Sequence, residues 1–477
     1  MSYDNYYIPS LKKKKIDFFN FKNAVNGRID GLLGKNTLAK TCYNFDYTDG
    51  GLKCGVGVKQ LEILVGDKHY VPSPPKNLIP KKIFYYKRYD EDLLKRDDRI
   101  LVYYADGSVY EWKIYGGSGE MTKVKDLSFT SVPFSVNYRL NSEDVILFST
   151  KDYSCVYDGT TVSEFTAPHI TSLCVHNERL YATTGNSETE LWFSKTFDPT
   201  NWNVSLDEGG FIDFRTKAGR LIKVVSFGGY LYAFANYGIF RISSYGDQLE
   251  TVVDAVYLNS GRIYKNSVTE CGKYVVYLAE DGFYRFDGSN SYKIMTELDA
   301  YLHGVDNEDV SAIYHNGKFY ATVTVKTDGK LSKTVVCYDL NGRDFYLAKG
   351  LNAYDLEKID GDEFSFLAIL VEGYSDLATL SNDGAKFGLP LTKLWRSYPN
   401  DFDVFTKKTL SYVSLYCKGV ITLEFESDEG KKTVEFFGGK SRKRAKIGLR
   451  GNDFTVTVKS RGKNAEVSKM LLEIQYV

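Results

Sequence analysis

The residues that could carry metal or nucleophilic chemistry are scattered along the chain. The histidines and cysteines form no HxH, HExxH or CxxC spacing, which are the usual zinc-ligand patterns. They stand at His69, His169, His176, His303, His315, Cys42, Cys54, Cys155, Cys174, Cys271, Cys337 and Cys417. No GxSxG, Walker A or GxGxxG motif occurs, and GVGVKQ (55–60) lacks the third glycine. The sequence therefore predicts no catalytic residue, no metal site and no cofactor.

Paired carboxylates are what a glycosidase would require, and β-propellers do host such enzymes. Acidic clusters occur at Asp90–Asp92 and at Asp360, Asp362 and Glu363, but in turn-like, solvated contexts. The string nearest to a sialidase Asp-box, SDEGKKT (427–433), has neither the Asp spacing nor the aromatic residue of that motif. We therefore expect that the protein is not an enzyme, and a propeller glycosidase is the least favoured function.

The composition indicates a β-protein. The 477 residues include 38 Tyr and 29 Phe, and these types favour pleated, half-buried surfaces. Lys+Arg and Asp+Glu both number 61, so no global field attracts nucleic acid. The cysteine spacing predicts reduced thiols used as small core residues. An apolar leader and an apolar run of about 20 residues are both absent from the sequence, which predicts a protein without a membrane anchor.

Turn signals recur between alternating apolar runs over most of the chain. Asp-Gly, Asn-Gly and Gly-Gly pairs favour tight hairpins, because both turn positions take a positive φ. The hairpins begin near residues 101, 146, 176, 227, 271 and 315, mostly 40–50 residues apart with one interval near 30. This period is typical of β-propeller blades of four strands. We predict a degenerate six- or seven-bladed propeller over 65–398, with two stacked β-sandwiches as the alternative.

The two ends of the chain differ from this repeat. Residues 1–64 are predicted to form an N-terminal extended arm and the first strand or strands, and 399–477 a C-terminal β-sandwich of long alternating strands. Each end holds a basic run, Lys12, Lys13, Lys14 and Lys15 in the arm and Lys440, Arg442, Lys443 and Arg444 in KSRKR. Such runs are commonly solvated segments. The sharper hypothesis makes them contacts to a partner subunit or to DNA phosphates.

The most specific string of the chain is the aromatic loop in ELWFSKTFDPTNW (190–202). Pro199 presets a turn after Asp198, and Trp192 and Trp202 are close enough in sequence to pack over it. One interpretation is an inter-blade plug that fills the space between sheets. The other is a platform on which a carbohydrate stacks, or another contact loop.

LWFSKTFDPTNWN, followed by GFIDF and IKVVSFGGYLYAFANYGIFRI, resembles a pattern of bacteriophage tail-hub or packaged-DNA-stabilisation propellers. The resemblance covers about 190–245, and the C-terminal NDFTVTVKSRGKNAEVSKMLLEIQYV is similar to terminal segments of the same proteins. It implies a virion component of the neck or tail, assembled in the host cytoplasm. Its partners would be a homo-oligomeric ring of its own copies, portal or adaptor and other tail proteins, and packaged DNA.

The function that this resemblance implies is structural. The ring would extend the DNA channel, help to retain packaged DNA and dock further tail parts. The alternative function is a glycan- or receptor-binding propeller that uses Trp192, Trp202 and nearby tyrosines.

Overall fold

The computed structural model describes residues 10–18, 21, 39–65, 67–90, 94–116, 118–205, 208–214, 218–243, 251–327, 329–439 and 442–477. The chain divides into two compact units. The terminal unit comprises Met1–Lys59, Thr334–Leu351 and Ser381–Val477. The central unit comprises Gln60–Lys333 and Asn352–Leu380.

The chain is almost entirely β, as its composition predicts. It begins with β1 (Lys12–Phe18), β2 (Ala39–Tyr43), β3 (Phe45–Asp46), β4 (Leu52–Cys54) and β5 (Gly57–Gln60). The central unit continues with β6 (Ile63–Val65), β7 (Lys68–Tyr70), β8 (Pro80–Tyr86), β9 (Tyr89–Asp90), β10 (Lys95–Arg96), β11 (Arg99–Tyr104), β12 (Ser108–Lys113), β13 (Thr122–Ser128), β14 (Phe134–Leu140), β15 (Glu143–Ser149), β16 (Ser154–Tyr157), β17 (Val162–Glu164), β18 (Ile170–His176), β19 (Arg179–Thr184), β20 (Glu190–Phe193), β21 (Gly210–Asp213), β22 (Leu221–Phe227), β23 (Tyr230–Ala235), β24 (Gly238–Ser243), β25 (Val252–Leu258), β26 (Thr269–Glu270), β27 (Val275–Ala279), β28 (Gly282–Phe286), β29 (Ser291–Ile294), β30 (Ser311–His315) and β31 (Lys318–Thr327).

The unit boundary falls within the next strand. The remaining strands are β32 (Lys330–Asp339), β33 (Phe345–Lys349), β34 (Ala353–Asp360), β35 (Ser365–Val371), β36 (Ala378–Ser381), β37 (Ala385–Lys386), β38 (Leu389–Pro390), β39 (Lys393–Ser397), β40 (Lys408–Lys418), β41 (Val420–Ser427), β42 (Gly430–Phe437), β43 (Lys443–Gly451), β44 (Phe454–Ser460) and β45 (Glu466–Tyr476). The described helices are short: two 3-10 turns, Lys265–Ser267 and Thr296–Leu298, and α1 (Asp299–Leu302).

Seven groups of antiparallel strands form the propeller of the central unit. Five are complete four-stranded sheets: β8 with β11–β13, β14–β17, β18–β21, β22–β25 and β26–β29. The hairpin β30–β31 and the three strands β34–β36 belong to the sixth and seventh sheets. The predicted turns connect the first strands of these sheets. Asn316 (φ 49°) and Gly317 (φ 78°) both take positive φ between β30 and β31, as do Gly228 and Gly229 between β22 and β23.

Hydrophobic clusters lie between consecutive sheets of the central unit. Phe84 of the first sheet packs on Phe148 of the second with ring centroids 5.2 Å apart, and Phe234 of the fourth packs on Tyr277 of the fifth at 5.8 Å. The last sheet returns to the first, because Leu370 of β35 shares a buried cluster with first-sheet residues. Each sheet therefore buries both faces against its neighbours, as propeller blades do. The prediction of a propeller is confirmed.

Side chains cap the inner edges of the blades. A strand at a sheet edge exposes backbone N–H groups that need acceptors. Here the acceptor is a side chain on the neighbouring blade: Ser172 accepts from the Val224 amide (3.3 Å), Ser311 from Leu356 (3.1 Å), Asp355 from Ile83 (2.8 Å) and Asn137 from Lys87 (3.1 Å). These bonds connect β18 to β22, β30 to β34, β34 to β8 and the residue after β8 to β14.

The terminal unit is a β-sandwich. One sheet has the order β3-β4-β45-β40-β43 with β1 paired to β45, and the other is β2-β39-β44-β41-β42. Buried and exposed residues alternate along their strands, so each sheet has one apolar face. The compact units do not coincide with the predicted segments 1–64, 65–398 and 399–477. The described N-terminal residues are extended as expected, but they pair with strands of the C-terminal sandwich, Lys12 with Tyr476 and Phe18 with Met470.

Candidate functional site

A cleft opens in the central unit where the first sheet of the propeller meets the last. It has a volume of about 820 Å³. Its walls are residues 77–81 at the start of β8, Tyr354 on β34 and the turn 372–375 after β35, together with Asp309 and Lys333. The size is that of an ordinary ligand or peptide site.

Prolines shape one wall of the cleft. The approach to β8 reads PSPPKNLIP (72–80), and each proline fixes its own φ near −65°. Leu78 points inward and packs on the cluster between the last and first sheets. Ile79 faces the other way and is 63% exposed, as the alternation of an extended chain requires. Its carbonyl accepts the Ala105 amide at 2.9 Å, which holds this wall against the first sheet.

Two tyrosines form the opposite wall. The Tyr354 hydroxyl donates to the Pro80 carbonyl at 2.6 Å and so ties β34 to β8 across the cleft. Burial, with smaller effects of Asp355 and Glu372, raises the pKa of Tyr354, so the phenol stays protonated and keeps donating. Tyr374 lies in the turn after β35, where its amide donates to the Val371 carbonyl at 3.1 Å. The tyrosines and residues 78–80 therefore form an apolar and aromatic part of the lining, which is held in place by hydrogen bonds to backbone carbonyls.

Charged groups surround this apolar lining. Lys333 pairs with Asp309 at 2.5 Å, and the side-chain amide of Asn352 donates to the Glu372 carboxylate at 3.5 Å. Lys81 is exposed at the rim. An apolar surface with a polar, mixed-charge rim is the usual anatomy of a protein-binding site.

Solved structures similar to this chain have low sequence identity to it. BBS1N, solved in complex with ARL6DN, is 10% identical with a TM-score of 0.42, and the match covers 67% of this chain and 96% of that one. U3-55K is 11% identical with a TM-score of 0.39, over 64% and 96% of the two chains. Raptor of Chaetomium thermophilum is 10% identical with a TM-score of 0.44, over 68% and 28%. No family model and no curated protein sequence matches the chain.

The prediction of a phage protein is wrong. None of these structures is a phage protein, so the assignment to tail-hub or packaged-DNA-stabilisation proteins is withdrawn, and with it the structural role in a tail DNA channel. The predicted partners are wrong as well, namely a homo-oligomeric ring, portal or adaptor proteins and packaged DNA. BBS1N was solved in complex with ARL6DN, a different protein. The glycan- or receptor-binding alternative gains no support from these structures.

The aromatic loop of 197–202 is built into the blades. Trp202 is 6% exposed and lies in the cluster between the second and third sheets, and its indole N–H donates to the Pro199 carbonyl at 3.0 Å. Asp198 accepts from the Thr200 amide at 3.1 Å and so shapes the turn. Trp192 is half-buried and stacks on Phe211 with ring centroids 5.3 Å apart. The loop lies apart from the residues that line the cleft.

The described residues of the basic runs lie on sandwich strands or directly before one. The Lys14 ammonium donates to the Phe402 carbonyl at 2.7 Å and pairs with Asp403 at 3.2 Å, whereas Lys12, Lys13 and Lys15 are exposed on β1. Lys440 lies outside the described residues. Arg442 donates to the Ser414 hydroxyl at 2.8 Å, Lys443 is exposed at the start of β43, and Arg444 pairs with Glu473 at 2.7 Å.

The sequence did not single out the residues of the cleft. Its one local signal was the proline-rich approach to β8, since the tyrosines come from a strand and a turn roughly 270 to 300 residues away. In the described part of the chain, no three His, Cys, Asp or Glu side chains come together as metal ligands. None of the described helices is long and apolar enough to cross a membrane. No disulfide joins the seven cysteines, and five of them are buried.

Proposed function

We propose that the protein is a non-catalytic binding protein whose central unit holds a short segment of another protein in the cleft. The observation that carries the proposal is the exposed Ile79 opposite the wall formed by Tyr354 and Tyr374, in a cleft of about 820 Å³. An isoleucine side chain is unfavourably exposed to water in this position, and burying it would stabilise a complex by about 25 cal/mol per Å² of apolar surface. Tyrosines are enriched at such interfaces because they combine a large apolar surface with a polar tip.

The lining suggests the chemistry of the segment. An apolar side chain would contact Ile79 and the tyrosine rings. The flanking charges of the cleft, Lys81 on one side and Glu372 on the other, favour a segment with an acidic and a basic residue around that anchor. The Tyr354 hydroxyl and the Lys333–Asp309 pair are already engaged, so they position the walls instead of reacting with a bound molecule.

A peptide-library selection on the full-length protein tests this function. Peptides selected by the wild-type protein should share an apolar anchor and should bind the Ile79→Lys variant at least about tenfold more weakly, since a charge would replace the apolar contact. Leu258→Lys is the matched control, because Leu258 is 69% exposed on β25 and does not line the cleft. The control should bind the peptides as the wild type does. Peptides that bind both variants equally well would contradict the proposal.

A further inference from the structure

Three lysines converge on the axis of the propeller. Lys82 lies on β8 and Lys223 on β22, which are inner strands of the first and fourth blades, and Lys265 precedes β26. Each of these side chains is only partly exposed. Lys223 and Lys265 both come next to the same two residues of β18, because the Val224 amide donates to the Ser172 hydroxyl at 3.3 Å and the Lys265 ammonium donates to the Thr171 carbonyl. Residues separated by well over a hundred positions are therefore brought into one cluster, which we call the axial lysines.

The contacts of Lys265 show that it reaches across the axis. Its ammonium donates to the Thr171 carbonyl at the start of β18, on the third blade. It also lies 3.9 Å from the ring centroid of Phe134 at the start of β14, on the second blade. A side chain that begins before the fifth blade thus touches the second and third. None of these partners is a carboxylate.

The carboxylates near the axis balance only part of this charge. Asp355 pairs with Lys82 at 2.6 Å and is saturated by the Ile83 amide and the Ser311 hydroxyl. Glu357 is within range of Lys82 and Lys223 but makes no hydrogen bond within the described residues. Lys223 likewise has neither a hydrogen bond nor an ion pair in the part of the chain that the structure describes. Within the described residues, neither the Lys223 nor the Lys265 ammonium therefore has a carboxylate in contact.

Burial is the largest cause of the pKa shifts in this cluster. Burial, reinforced by Lys223 and Arg220, lowers the pKa of Lys265 to about 7. Burial also lowers the pKa of Lys223, with Lys82 acting in the same direction. Burial raises the pKa of Glu357 to about 7, so this carboxylate is only partly ionised at neutral pH. A bound anion would restore the charged state of both lysines.

We propose that Lys223 and Lys265 bind a compact, doubly charged oxyanion, of which inorganic phosphate and sulfate are the simplest forms. A single carboxylate would neutralise only one of the two ammonium groups, whereas a divalent oxyanion neutralises both. Lysine suits this role because its ammonium is a compact point charge with three donors. This site is independent of the cleft, and its ligand is unrelated to the segment proposed there.

Calorimetric titration of the full-length protein with inorganic phosphate, at constant ionic strength set by sodium chloride, tests the site. The wild type should bind phosphate, and at about ten times the Kd the melting temperature should rise by about 2 °C. Lys223→Met and Lys265→Met should each weaken binding about tenfold or more. Lys125→Met is the matched control, since Lys125 belongs to the same unit and is 91% exposed, and it should bind as the wild type does.

A charge-preserving variant guards against a trivial loss of fold. Lys223→Arg should retain phosphate binding while Lys223→Met loses it, with circular dichroism showing that both are folded. Sulfate should compete with phosphate, and acetate should not. The proposal is overturned if phosphate does not bind, if it binds the two Met variants as tightly as it binds the wild type, or if equal ionic strength of chloride reproduces its effect.

Discussion

The two units bury lysines in different ways. In the sandwich, Lys393 is fully buried on β39, and its ammonium donates to the carbonyls of Gly384 (3.2 Å), Leu391 (3.2 Å) and Gly462 (3.0 Å). In the propeller, Lys223 has no hydrogen-bond or ion-pair partner within the described residues. An ammonium has three N–H groups, so Lys393 is saturated by the backbone and Lys223 is not.

This difference separates a structural lysine from a binding one. A buried cation whose donors are all used contributes to the fold and has no capacity for a ligand. A partly buried cation with free donors costs the fold free energy until something binds it. The predictions that follow test this contrast.

Removal of the saturated lysine should have the largest effect. Lys393→Met removes the ammonium donor from three carbonyls, of which that of Gly384 still accepts the Leu391 amide, and we expect a loss of about 3–5 kcal/mol in the free energy of unfolding. Lys223→Met removes a cation without a partner, so we expect a change within about 1 kcal/mol, or a gain. Urea denaturation monitored by tryptophan fluorescence measures both, because Trp395 lies on the same strand as Lys393 and Trp112, Trp192 and Trp202 lie in the central unit. Equal losses for the two variants would contradict the contrast.

Asp355 should show the next largest effect, because it joins the last blade to the first. Asp355→Asn keeps an acceptor for the Ile83 amide but leaves the Lys82 ammonium without its counter-charge, at an expected cost of about 2–3 kcal/mol. Asp309→Asn is the control, since its bridge to Lys333 has the Asp 61% exposed and should be worth less than about 1 kcal/mol. Hydrogen exchange at the Ile83 amide should accelerate only in the Asp355 variant. If Asp309→Asn lowers the free energy of unfolding as much as Asp355→Asn does, the junction of the last and first blades has no special role in stability.

The sequence predicted what depends on local signals. Turn-forming residue pairs such as Asn316-Gly317 marked the hairpins, and the spacing of these hairpins indicated propeller blades. The sandwich followed from the long alternating strands near the C-terminus. The pairing of β1 with β45 was not predictable, because it joins residues more than 450 positions apart without a local pattern. The axial lysines were missed for the same reason: each is a single lysine in an ordinary strand or turn, and only closure of the ring brings them together.

Titration of the axial cluster should give the smallest effect, and it tests the contrast without removing a lysine. Glu357 has its pKa raised from 4.5 to about 7, so the folded protein binds more protons than the unfolded chain between these values. Its contribution to stability is therefore present at low pH and is lost as the pH rises towards 7. Lys265 has its pKa lowered from 10.5 to about 7, so the unfolded chain binds more protons above pH 7 and stability rises again.

The melting temperature should consequently pass through a shallow minimum near pH 7 relative to variants that lack these groups. The groups that face Glu357 are Lys82, Asp355 and Lys223, and those that face Lys265 are Lys223, Arg220 and Glu308. Glu357→Gln should remove the decrease in melting temperature below pH 7. Lys265→Met should remove the increase in melting temperature above pH 7. Identical pH profiles for wild type and variants would mean that the axis carries no unbalanced charge. If phosphate instead raises the melting temperature near pH 7 in the wild type and not in Lys265→Met, the axial lysines bind a ligand, whereas the saturated Lys393 of the sandwich serves the fold.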